Sequence, residues 1–394
     1  MSYTSAIFAP AVKSASREFG VGSEVGTLGT TLYVLGFASG PVIWAPWSEL
    51  RGRKWPLTIS ILIGGIFTLA SALAKDIQTL IICRFFAGVC GAGQLTVVPG
   101  LLTDIFENTY RGMAISLYAL TVFVGPFSAP FAGGFIVSSS LGWRWTLYIP
   151  AFLSFANGGI SFFFLRETYA PCLLIAKAAA IRRQTNSWGI HAQHDRIEVD
   201  PRELIDKYFA RPLIMLTTEP IIFLVSLYMS FIYGLVYCLL EVYPYVFEEI
   251  YGFSPGFSGL PSIGLIIGQL LGCSFILSQQ ATYVKKLVKN KNVPVPEWRL
   301  FPTLIGAPVF TIGIFWWVIH PLHIGTTKLT IFPTLGSVGR DLPLKSIGLH
   351  PPSQAYSLDL GCCASFYHAS TISLTLICHC EFQVVLSNTH DKTD

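Results

Sequence analysis

Eight stretches of this chain contain no Asp, Glu, Lys or Arg at all: residues 27–47, 55–74, 85–103, 112–143, 145–165, 220–240, 250–284 and 300–327. A helix that crosses a bilayer needs roughly 20 apolar residues, and these runs meet that length. In hydrocarbon every backbone N–H and C=O must be paired within the segment, so long single runs of this kind can only be helices. None of them carries a polar face, which excludes a soluble helical core. The expectation is an all-α polytopic membrane protein. Composition agrees, with 52% hydrophobic and only 12% charged residues where soluble proteins carry about 25%.

Lys and Arg set the orientation. One set of connections holds Arg51, Arg53, Lys54, Arg111, the stretch 166–212 and Lys285, Lys286, Lys289, Lys291 and Arg299; the opposite set holds little beyond Lys13, Arg17, Lys75 and Arg144. The first set is therefore expected on the cytoplasmic side. The net charge of +4 is this bias, and it implies no nucleic-acid partner. Residues 166–212 hold eight basic and six acidic residues and read as a linker, partly helical, between two bundles. Cys83, Cys90, Cys238 and Cys273 are expected inside membrane spans and act there as small apolar side chains. The group Cys362, Cys363, His368, Cys378, His379 and Cys380 matches no common zinc spacing, so no metal is expected.

Three motifs carry chemistry. In the first, two apolar runs meet at Glu49-Leu-Arg-Gly52-Arg53-Lys54, where Gly52 permits the tight reversal. In the second, Arg84 is followed by Gly88 and Gly91 on one helix face. A guanidinium in a span costs about 2.5–3.5 kcal/mol on insertion scales and marks function by default; snorkelling to the surface is the alternative. In the third, Gly125-Pro126-Phe-Ser-Ala-Pro130-Phe-Ala-Gly133-Gly134 combines two helix-kinking prolines with glycines that admit a neighbouring helix.

These motifs resemble those of the major facilitator superfamily, in the order of the turn between family helices 2 and 3, then helix 4, then helix 5. Glu167-Thr-Tyr-Ala-Pro171, Thr218-Glu-Pro220, Glu241-Val-Tyr-Pro244, Glu248-Glu-Ile-Tyr-Gly-Phe-Ser254 and Ser258-Gly-Leu-Pro261 narrow the resemblance. They are similar to fungal members of the drug:proton antiporter-1 family, exporters of drugs and polyamines with twelve spans. The resemblance implies a conformational gate at Glu49, Gly52, Arg53, Lys54, Asp104 and Arg111, with Arg53 paired to Asp104. It implies proton coupling at Arg84 and an antiporter signature at Gly125, Pro126, Pro130, Gly133 and Gly134. On family helix 7, Tyr233, Tyr237 and Glu241 follow a four-residue stripe suited to a hydrophobic or cationic substrate; interface anchoring of the tyrosines is the bland alternative. Partners would be a small molecule, protons and the lipid bilayer, with a monomer in the plasma membrane and no cofactor.

A faint repeat at an offset of 232 residues sets Phe19-Gly20-Val21 on Tyr251-Gly252-Phe253, Gly36 and Gly40 on Gly268 and Gly272, and Arg53-Lys54 on Lys285-Lys286. Parallel repeats relate the two halves of a major facilitator. The expected organisation is an N-terminal half over 1–165, a cytoplasmic loop over 166–212, a partial C-terminal half over 213–336 and a tail over 337–394 outside the family pattern. Residues 1–10 read as the outer end of family helix 1, followed by a loop. The fold is thus an incomplete major facilitator, with about eight full spans of twelve, and a frameshift or missed intron near Gly339 is the simplest cause. A truncated, non-transporting product or pseudogene, and a facilitator or symporter of another solute, are the competing readings. A seven-span receptor has no use for the Glu49–Lys54 turn, and an intramembrane enzyme has no acid near His320 and His323.

Overall fold

The computed structural model describes residues 1–192, 210–245, 254–260 and 262–291, with positions 248, 298 and 306. The described residues form helices: α1 (Ser2–Ala6), α2 (Val12–Phe19), α3 (Ser23–Ser39), α4 (Pro41–Arg51), α5 (Lys54–Ala72), α6 (Ile77–Ile105), α7 (Asn108–Ser138), α8 (Trp145–Phe164), α9 (Ala170–Thr185), α10 (Arg211–Thr218), α11 (Pro220–Tyr245), α12 (Pro255–Ser258) and α13 (Ser262–Lys289). α3 and α4 run as one span, broken only by Pro41, which removes a backbone donor at the junction.

Among the described residues, six helices are long and apolar enough to cross a membrane: Ser23–Arg51, Lys54–Ala72, Ile77–Ile105, Thr109–Ser138, Trp145–Phe164 and Pro255–Lys289. A shorter apolar stretch, Ile222–Cys238, lies within α11. The run 300–327 and the tail 337–394, with its Cys and His group, lie outside the described residues, apart from position 306. Phe163 and Phe164 stand 80% and 79% exposed on α8, which suits a lipid-facing surface.

One boundary differs from the sequence reading. The chain is helical through Phe19 rather than looped after residue 10. Nothing between Val12 and Phe19 breaks a helix, and Val12, Ala15 and Ser16 bury on one side. Gly20, at φ 66°, closes it in a left-handed cap with its N–H on Arg17 and Ser16 carbonyls. Just before that cap, Glu18 accepts from the Trp143 indole at 2.6 Å and from Arg144 at 2.8 Å. Arg144 also donates to the carbonyls of Ala72 and Ala74. Those side-chain bonds hold the Glu18 carboxyl below its ordinary range.

α6 packs against α3 and α5, α5 against α8, and α7 against α1, α12 and α13. Gly36 and Gly88 allow the first contact: a Cβ on Gly36 would meet the Phe85 carbonyl, and one on Gly88 the Tyr33 carbonyl. One core cluster joins Ala6 and Ile7 to Ala119, Phe123, Phe127 and Ala129 of α7 and to Val236, Leu240 and Leu265. The first helix therefore packs in one cluster with α7, α11 and α13.

Candidate functional site

The α4–α5 turn is held from two sides. Gly52 reverses the chain at φ 89°, a conformation that side chains disfavour. Arg53 then donates through Nε to Asp104 at the end of α6 (3.1 Å) and through Nη1 to the Ser48 hydroxyl (2.9 Å). Its guanidinium lies over the Tyr169 ring, 4.8 Å from the centroid. A side chain at Gly100 would run into that guanidinium, at 2.9 Å from Cζ. Arg111 donates to the Thr103 carbonyl at 3.3 Å, and its Nε has no hydrogen-bond partner among the described residues. The Lys54 ammonium faces the Trp55 and Phe162 rings.

The second side is Glu167. Its carboxylate accepts the backbone N–H groups of Arg53 (2.8 Å) and Lys54 (3.1 Å), and those of Thr168 and Tyr169 (both 3.0 Å). Burial pushes this carboxyl up, but the four N–H donors outweigh it and leave it below its ordinary range. The Tyr169 phenol is pushed up by burial and next by Glu49, which lies on the last turn of α4. Glu49, Gly52, Arg53, Lys54, Asp104 and Arg111 thus cluster at one end of the bundle, with Glu167 and Tyr169 added. In the sequence the Glu167-Thr-Tyr triplet is only a family fingerprint.

Arg84 lies apart from this cluster and does not snorkel. It is 1% exposed. Nε donates to the Gly29 carbonyl at 2.7 Å, and Nη2 lies 3.4 Å from the carbonyls of Thr4 and Ser5. Its guanidinium lies over Phe8 at 4.5 Å and Tyr33 at 5.1 Å. Gly91, one turn on from Gly88, leaves room for the Tyr33 hydroxyl.

From Ser5 the polar contacts cross to α11. The Ser5 hydroxyl lies 3.1 Å from the Tyr237 hydroxyl, and Tyr233 donates to Tyr237 at 3.4 Å. The two tyrosine rings are 4.9 Å apart. Ser5 and Tyr33 escaped the sequence reading because neither belongs to a motif. The Glu241 side chain lies outside the described residues, although α11 runs through that position.

The α7 motif forms a third place. Pro126 and Pro130 lie within the helix. Gly125 faces the Tyr3 backbone and Gly133 the Ile7 carbonyl, while a Cβ on Gly134 would meet the Pro255 carbonyl. From α12, Gly259 returns the contact on Phe131. Nearby, Lys13 pairs with Glu248 at 3.1 Å, and Ser258 donates to the same carboxylate. No group of His, Cys, Asp and Glu suited to a metal occurs among the described residues.

The family model described as Major Facilitator Superfamily matches residues 1–339. An uncharacterized transporter of Schizosaccharomyces pombe is 41% identical over 380 residues, covering 95% of this chain and 69% of that protein. The "Major facilitator superfamily multidrug transporter FLU1" of Candida albicans is 42% identical over 350 residues, 87% of this chain and 57% of that one. "Multidrug transporter TPO1_2" of Candida glabrata is 43% identical over 345 residues, 86% and 59%. The chain thus spans 57–69% of the length of these three relatives. Among solved structures, the xylose transporter XylE of E. coli aligns over 98% of this chain and 84% of its own. The TM-score is 0.59 at 13% identity, a likeness of fold.

Proposed function

The chain belongs to the major facilitator superfamily, and from that premise we propose that it exports small hydrophobic or cationic compounds in exchange for protons. It does so as a multi-pass monomer of the plasma membrane, by alternating access between halves over 1–165 and 213–336 joined through 166–212. The observation that carries the reading is Arg84. A guanidinium enclosed in a spanning bundle, held by carbonyls of α1 and α3 and by two ring faces, is an expensive feature without a structural need for charge. A guanidinium does not give up its proton, so Arg84 serves as the fixed charge that biases a titrating group and does not carry the proton itself. The resemblance of the α7 Gly-Pro pattern to an antiporter signature supports antiport over uniport, and the names of two relatives support a drug-like substrate.

The test is ethidium uptake into inside-out vesicles from cells expressing the protein, under an imposed pH gradient. Wild type takes up dye with the gradient. Arg84→Ala loses at least about tenfold of that rate, equivalent to about 1.4 kcal/mol, at an unchanged amount of protein in the membrane. Uptake indifferent to the gradient in wild type, or retained in the variant, overturns the reading.

A further inference from the structure

The hydroxyls between α1 and α11 carry a direction. Ser5 Oγ lies 2.7 Å from the Ser2 carbonyl and 3.1 Å from the Tyr237 hydroxyl. A carbonyl only accepts, so the 2.7 Å contact takes the one proton that serine has. Tyr237 must then donate to Ser5, and its oxygen is left to accept from Tyr233, the donor in their 3.4 Å contact. Three hydroxyl protons therefore point one way, from Tyr233 through Tyr237 and Ser5 to Ser2. The string ends on a Tyr233 oxygen that has lone pairs to offer and no proton to give.

That open end remains accessible on α11. Tyr237 reaches across to Ser5, and Tyr233, one turn earlier on α11, shares its face and remains 36% exposed. Arg84 fixes the other end through its contacts with the Thr4 and Ser5 carbonyls. Ser5 and Tyr237 are also separated by 232 residues, the offset of the internal repeat.

We propose that Ser5 is a specificity-determining residue: by taking the Tyr237 proton it leaves Tyr233 a pure acceptor, and the cavity selects cations that carry an N–H over fully alkylated cations. The inference rests on the substrate-path reading of Tyr233 and Tyr237. The two ring faces attract any cation; only the oxygen distinguishes a primary ammonium from a quaternary one.

The probes are benzylammonium and benzyltrimethylammonium, alike in ring and charge, titrated into the purified 394-residue chain in lipid nanodiscs. Wild type binds the primary ammonium about tenfold more tightly, the scale of one hydrogen bond to a charged group. Ser5→Ala frees the Tyr237 proton to turn, the string can reverse, and the ratio falls towards one; Ser5→Thr restores it. Tyr233→Phe also removes the preference, because it deletes the oxygen and keeps the ring. A ratio unchanged in Ser5→Ala but lost in Tyr233→Phe overturns the role of Ser5 and leaves the cavity reading standing. If neither probe binds wild type, or Tyr233→Phe changes neither affinity, the cavity reading fails and this inference with it.

Discussion

The turn at Gly52 shows how two kinds of contact differ in what a sequence reveals. Arg53 and Asp104 are nameable through the family resemblance, because a basic turn and an acid at the end of a neighbouring span belong to its motif and have opposite charges to match. Glu167 is not, since all four of its bonded donors are backbone N–H groups, which leave no side-chain pattern. Ser5 is invisible for the same reason: one hydroxyl in an apolar segment. The Glu167 carboxyl is held below its ordinary range, so its stabilisation is fully present above the unfolded glutamate value of about 4.3. It is lost as pH falls through the lower folded value. Glu167→Gln keeps the shape but weakens the charge-assisted bonds. In detergent at pH 7 it should lower the melting temperature by roughly 2–4 °C, the shift for about 1 kcal/mol. That gap should close as the pH is taken below about 4. A gap constant with pH would show that the charge of Glu167 does not hold the turn.

Among elements, the α3–α6 crossing depends on absent side chains. Gly88 backs directly onto the Tyr33 carbonyl, with the Phe37 nitrogen 3.1 Å from its virtual Cβ. Even Gly88→Ala must push the two helices apart, an overpacking cost of about 1–3 kcal/mol. Gly159, on α8, meets nothing within 4 Å. Gly159→Ala should instead be neutral or stabilising by up to about 1 kcal/mol, the helix preference of alanine over glycine. Thermal unfolding of the two variants side by side separates the effects, and equal midpoints would contradict the close approach. At this scale much of the fold is legible. Long charge-free runs can form nothing but helices in lipid, and five of them coincide with spans between Ser23 and Phe164. Residues 11–19 misled the sequence reading because Lys13, Arg17 and Glu18 look like a loop. In the structure these charges lie on a helix whose other side buries Val12, Ala15 and Ser16.

Across the whole molecule, the contacts that join the two bundles are the least legible part, because their members are far apart in sequence and unremarkable in type. Lys13 and Glu248 are 235 residues apart, and Gln280 meets the Thr109 carbonyl across 171. The Lys13–Glu248 pair ties α2 to the segment before α12, beside the α7 glycines, where the bundles must part if they move against each other. Its magnitude limits what it can do. The Lys13 side chain is 42% exposed and that of Glu248 14%, and surface pairs contribute about 0.2–1 kcal/mol, which shifts a two-state equilibrium by a factor of about 1.4 to 5. The pair therefore favours this arrangement without locking it. Ala6 is 3% exposed within the cluster shared by both bundles, so a cysteine there (A6C) reports their separation through its rate of alkylation, read at that site by mass spectrometry. Lys13→Glu in that background should speed alkylation several-fold, and the exchange Lys13→Glu with Glu248→Lys should bring the rate back. Because salt screens exposed charges, with a Debye length near 3 Å at 1 M, the difference between Lys13→Glu and wild type should shrink at high salt. An effect larger than about tenfold, or one that survives 1 M salt undiminished, would mean that packing of Gly134 on Pro255 and Gly259 on Phe131 is what the substitution disturbs, and that the ion pair is not the bias.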